Sequence, residues 1–170
     1  MKRRTKVAAL VLFIVVGLAS LFGAQAFFYG SYLLQGAAVR WNGLVIPTRK
    51  PIALAPGRNN ERVILKFLKS DWSGVEPDRL AFQSSLDERT IGNVEAYCAQ
   101  AAASCERGSM TIAGRDFLYV SFTRTFANAL GEYHAQIWSL NPPLTIDFHG
   151  SKLIYESHVK PLLQSIERAT

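Results

Sequence analysis

Thirty-three consecutive residues, Val7 to Val39, carry no charge, and they follow directly on the basic cluster Lys2, Arg3, Arg4 and Lys6. Few soluble folds accept such a run, because a core helix is seldom apolar all round for this length. The densest part, Val7 to Gly23, includes Val7, Leu10, Leu12, Phe13, Ile14, Val15, Val16, Leu18, Leu21 and Phe22. As a helix rising 1.5 Å per residue it measures about 25 Å. Extended to Tyr29 it measures about 35 Å, enough to span a hydrocarbon core of about 30 Å with some tilt.

Two readings of this segment compete. Ala24-Gln25-Ala26 has the A-x-A form of a signal-peptidase site, so the segment can be a signal peptide cleaved after Ala26. Cleavage there would leave a new terminus beginning Phe27-Phe28-Tyr29, greasy surface presented to water. As an uncleaved anchor, Phe27, Phe28, Tyr29 and Tyr32 meet the membrane interface, where aromatic rings are favoured. The anchor reading is preferred. Lys2, Arg3, Arg4 and Lys6 then hold the amino terminus on the cytoplasmic side and deliver the rest of the chain across the membrane. The expected organisation is a basic tail (1–6), an anchor (7–34), a tether (35–58) and an extracytoplasmic domain (59–170). The expected location is single-pass in the inner (cytoplasmic) membrane; cleavage would instead release a periplasmic or secreted protein.

The charge distribution narrows the partners. The 170-residue chain has a formal net charge of +6. Residues 1–62 carry nine basic groups and one acid, and residues 63–170 carry ten basic groups and twelve acids. The part able to fold as a globule is thus slightly acidic. It has no basic face with which to release counterions from phosphates, which argues against nucleic acid. The expected partners are membrane lipid and other envelope proteins.

Residues 40–58 contain Pro47, Pro51 and Pro56, which disfavour helix and central strand and suggest an extended tether. Leu44 to Ile46, Ile52 and Leu54 are apolar enough for an edge strand within it. Beyond it, Val63, Ile64, Phe67 and Leu68 fall on one helical face after a possible cap at Asn59 or Asn60. A second helix is expected after Gly92-Asn93, on Val94, Tyr97, Cys98, Ala101 and Cys105. From Ser109 the period becomes two, as in strands. Hairpins are expected around Ala127–Gly131 and around His149-Gly150-Ser151, with a closing helix beginning at Pro161. Helices first, strands next and a helix last predict an α+β domain: two helices, an antiparallel sheet of four to five strands and a C-terminal helix.

Cys98 and Cys105 are the only cysteines, and an even count on the exported side points to a disulfide. Within one continuous helix their Cα atoms would stand about 10.5 Å apart, beyond disulfide reach. The pairing therefore requires the helix to end between them. Neither a C-x₂-C zinc pattern nor a CxxC redox motif is present, and no metal or cofactor is implied.

Candidate catalytic groups are sparse. Thr145, Asp147 and His149 alternate, so their side chains share one face of a strand, and Asp147 can orient His149 as a general base. Ser121 or Ser151 would have to supply a nucleophile. Ser157 and Lys160 fit S-x-x-K without its partner motifs, and the pairs Glu76/Asp78 and Asp87/Glu88 read as surface charge. No G-x-S-x-G, H-E-x-x-H or phosphate-binding glycine loop is present. The sequence therefore favours a membrane-tethered extracytoplasmic binding or assembly module without catalysis. The alternative is an exported hydrolase using Asp147 and His149.

Overall fold

Val63, Leu65 and Phe67 are buried, while Arg62, Ile64 and Lys66 between them are only half-buried. That is a period of two, and the segment expected as the first helix is a strand. The structure is a computed structural model that describes residues 23, 30, 32–34, 36–55, 60–69, 75–86, 88–100, 104–125 and 131–169. The α+β expectation is corrected: ten strands in two sheets dominate the described residues. The apolar residues of 62–68 satisfy a helical face and an alternating one equally. Neighbouring strands on both sides, together with β-branched Val63 and Ile64, decide for the sheet.

The strands are β1 (Ala38–Trp41), β2 (Leu44–Pro47), β3 (Ile52–Leu54), β4 (Arg62–Leu68), β5 (Val75–Gln83), β6 (Glu106–Ile112), β7 (Arg115–Thr125), β8 (Gly131–Leu140), β9 (Pro143–Gly150) and β10 (Glu167–Arg168). Helix α1 spans Glu88–Gln100. A second helical stretch is made of α2 (Lys152–Ile154), a π-helical turn π1 (Tyr155–Val159) and α3 (Lys160–Gln164).

Seven strands form one antiparallel sheet in the order β3-β4-β5-β9-β8-β7-β6, and β1-β2-β10 form a second. One face of the large sheet carries Leu65, Phe82, Ile146 and Ile137, which meet Trp41, Leu44 and Ile46 of the small sheet in a common core. Trp41 and Phe82 pack edge to face across that boundary, with ring centroids 6.2 Å apart. Tyr155, Val159, Leu162 and Leu163 of the C-terminal helical stretch close the same core.

Residues 38–54, expected as a tether, are thus built into the fold as three strands. Asn42 and Gly43 both have positive φ, as a tight two-residue hairpin between twisted strands requires, and they turn β1 into β2. Of the anticipated edge strands, β3 occupies an edge of the large sheet. Tyr32, expected at the membrane interface, packs on Ala53 and Leu68 and accepts a hydrogen bond from the Lys50 N–H at 2.6 Å. The anchor residues Val7 to Phe22 and the interfacial Phe27, Phe28 and Tyr29 lie outside the described residues. Among the described residues, no helix is long and apolar enough to cross a membrane.

The carboxyl-terminal expectations also change. His149-Gly150-Ser151 is not a hairpin. β9 ends at Gly150, and Ser151 caps a helix, its Oγ accepting from the Ile154 N–H. Helix therefore starts nine residues before Pro161 rather than at it. Proline lacks an N–H and its ring crowds the carbonyl four residues back. The π turn immediately before Pro161 widens the helix there, with the Lys160 N–H donating to the Tyr155 carbonyl. Asp78, expected on the surface, is buried, and its Oδ1 accepts from the Ser151 N–H.

Candidate functional site between α1 and the sheet

The second face of the large sheet is polar at its centre. Tyr133 to Leu140 and Leu144 to Gly150 are joined by a two-residue turn at Asn141-Pro142, so Leu140 stands opposite Pro143. Stepping away from the turn, Gln136 faces Asp147 and His134 faces His149. On the other side, β7 sets Val120 beside Gln136 and Phe122 beside His134. Alternation places Glu132, His134 and Gln136 on the same face as Asp147, His149 and Phe122.

Helix α1 lies over this face. Cys98 packs against Val120, Phe122 and Trp138, with Ile91 and Val94 beside them. The helix ends at Gln100, and the chain returns so that Cys105 pairs with Cys98, their Cα atoms 5.3 Å apart. The termination between the cysteines is the condition that helix geometry imposes on this pairing. The disulfide ties the end of α1 to the start of β6.

Between α1 and the sheet lies a cavity of about 230 Å³, lined by Asn93 and Tyr97 of the helix and by Phe122, His134, Gln136 and His149 of the sheet, among others. His149 Nε2 and Asp147 Oδ2 are 2.8 Å apart. His134 Nε2 and Glu132 Oε2 are 3.1 Å apart, and His149 Nδ1 is 4.0 Å from Glu132 Oε1. The two imidazoles meet edge to face at 4.3 Å, and His134 stacks on Phe122 at 5.2 Å. Arg124 lies over the Tyr97 ring at the rim, 5.2 Å from its centroid. Burial, helped by the neighbouring His149, lowers the His134 pKa below the ordinary imidazole value, against the opposing pull of Glu132.

Gln136 is 2% exposed and lines this cavity, yet neither its Oε1 nor its Nε2 has a hydrogen-bond partner among the described residues. A buried primary amide left without partners costs about 1–3 kcal/mol. Such a group is an exception among buried polar atoms, nearly all of which are hydrogen-bonded.

The predicted site residues separate into two groups. Asp147 and His149 are in hydrogen-bond contact, and Thr145 on the same face donates to the Ser85 carbonyl at 2.8 Å. The two suggested nucleophiles are elsewhere. Ser121 is buried on the opposite face, paired in register with Ala135, and Ser151 is occupied as a helix cap. Ser157 Oγ donates to the Leu153 carbonyl and Lys160 reaches Glu156, so S-x-x-K forms no reactive pair. His158 packs by Phe67, 6.3 Å between centroids. Glu132, His134 and Gln136 are the residues that sequence reasoning missed. Their signal was the alternation Glu132, His134, Gln136, which becomes informative once the turn is centred on Asn141-Pro142.

No protein-family model matches this chain, and no curated protein matches it. The site stands on its own chemistry.

Proposed function

We propose that this chain is a membrane-tethered extracytoplasmic binding module, and that its ligand occupies the cavity between α1 and the sheet. The carrying observation is Gln136, a buried amide with both polar atoms unpaired in a cavity it shares with two imidazoles and the Asp147 carboxylate. A cavity with an apolar wall and a few convergent polar groups is the usual form of a small-ligand site. The uncharged amino-terminal run behind its basic cluster supplies the tether, and the near-neutral globule fits a domain delivered across the membrane. Leu33 and Leu34, 74% and 89% exposed beside Tyr32, continue that apolar run up to the domain.

The second reading is an exported hydrolase. One observation favours it: Asp147 is placed to orient His149 as a general base, 2.8 Å away. Neither Ser121 nor Ser151 can meet that base, so a hydrolase here would have to activate water directly.

Native mass spectrometry of the full-length protein, extracted from its own membrane, tests the binding reading. The expected result is an intact chain retaining residues 1–26 with a non-covalent mass addition that Gln136→Leu removes. The bare chain mass overturns the ligand, and a chain lacking residues 1–26 overturns the tether.

A further inference from the structure

Glu132, His134 and His149 each present one donor atom, and these atoms all lie within 4.8 Å of one another. Two imidazole nitrogens and one carboxylate form the donor set of an open zinc site, in which three protein ligands leave a position for water or a further ligand. We propose that this corner of the cavity binds a divalent first-row transition metal such as Zn²⁺, with Asp147 as the positioning residue for His149.

The geometry assigns each atom a task. Donors around a tetrahedral ion with bonds of 2.0–2.1 Å stand about 3.3 Å apart. His134 Nε2 and Glu132 Oε2 are already 3.1 Å apart. His149 Nδ1 stands 4.0 Å from the other carboxylate oxygen, Glu132 Oε1, and one donor atom of each of the three residues lies within 4.8 Å of the other two. Asp147 contacts the other nitrogen of that ring, Nε2, at 2.8 Å. It therefore holds the proton on Nε2 and leaves the Nδ1 lone pair directed at the Glu132 carboxylate. A carboxylate behind a ligating imidazole is the usual means of fixing its tautomer and raising its basicity.

The surroundings supply the rest of the site. The donors come from two paired strands, β8 and β9, whose register holds them without help from a loop. Phe122 stacks on His134 and limits its rotation. Gln136 sits one step along the same face, opposite Asp147, and lines the same cavity. Imidazole donors select zinc, nickel or copper over magnesium, which prefers a full set of oxygens.

This inference rests on the reading of the cavity as a ligand site, and adds a metal to it. The test uses untagged full-length protein in detergent, stripped with a chelator and titrated with Zn²⁺ or with Mg²⁺. Bound metal and the shift in unfolding temperature are measured. One Zn²⁺ per chain and no Mg²⁺ is the expected result. His134→Gln and His149→Gln, each first shown to unfold with the metal-free wild type, should lose binding at least about 100-fold. Asp147→Asn should weaken it roughly 10–100-fold at unchanged stoichiometry. Far less than one Zn²⁺ per chain, or wild-type affinity retained in both histidine variants, overturns the metal site. An organic mass on the membrane extract without zinc uptake overturns the metal and leaves the binding reading standing. Zinc uptake by a chain that leaves its membrane bare upholds the site and removes the reading of a standing ligand.

Discussion

His134 and His149 stand directly opposite each other on β8 and β9, and their rings meet at 4.3 Å. Two imidazoles so placed repel each other when both are charged, as like charges across a ladder do. Glu132 beside the first and Asp147 beside the second offset that repulsion. The pair is a consequence of the short turn at Asn141-Pro142, which fixes the register for the whole hairpin.

Gln136 should trade stability for binding. Gln136→Leu replaces two unpaired polar atoms with apolar surface of similar volume. The ligand-free variant should be more stable by about 1–3 kcal/mol in denaturant unfolding. A less stable variant would mean that the amide is already satisfied in the free protein.

Gly150 and Asp78 should be energetically coupled. A Cβ on Gly150 would fall within bonding distance of the Asp78 carboxylate, and that carboxylate bonds the Ser151 N–H at the helix start. Gly150→Ala should cost about 1–3 kcal/mol through overpacking. The same change in an Asp78→Ala background should cost much less, which a double-mutant cycle measures. Additive losses would reject the contact.

Removing the disulfide should loosen the cover of the cavity. Cys98 and Cys105 are seven residues apart in sequence, and closing so short a loop is worth about 2–3 kcal/mol in the chain-entropy account. The double variant Cys98→Ser/Cys105→Ser should lose that much. Amide exchange should accelerate in α1 before it does in β8 and β9. Uniform acceleration would show that the bond stabilises the whole domain instead.

Alkaline unfolding should report on Tyr155. Burial, reinforced by Tyr133, raises its phenol pKa above the ordinary value near 10. The native state therefore keeps its proton while the unfolded chain releases it. The stability contributed is complete below about pH 10 and is lost as the pH climbs toward the native pKa. Tyr155→Phe keeps the ring and should flatten the fall in urea midpoint above that pH. An unchanged slope would exclude Tyr155 as its source.

Particular elements show what could be read in advance. The strand alternation Leu118, Val120, Phe122 and the helix around Val94 to Cys98 were legible, since each has one dominant period. Residues 62–68 were not, because five apolar residues in seven fit both periods and only flanking strands choose. β5 was missed because Glu76, Pro77, Asp78 and Arg79 look like a surface loop, although Asp78 is buried under the helix start. At the site, the Asp147–His149 contact followed from alternation within one strand. The partnership with Glu132 and His134 did not, because it spans two strands.

Local order in the chain determined the cationic head with its uncharged run, the slightly acidic globule, the Cys98–Cys105 candidate pair and the Asp147–His149 neighbourhood. Each depends on residues a few positions apart, where covalent spacing and charge suffice. Tertiary structure alone decided that Ala38–Trp41 and Arg62–Leu68 are strands, that Gln136 is buried without a partner, and that two histidines fifteen residues apart share one corner with Glu132. Those outcomes depend on which strands pair and in what register, and that is a property of the whole sheet.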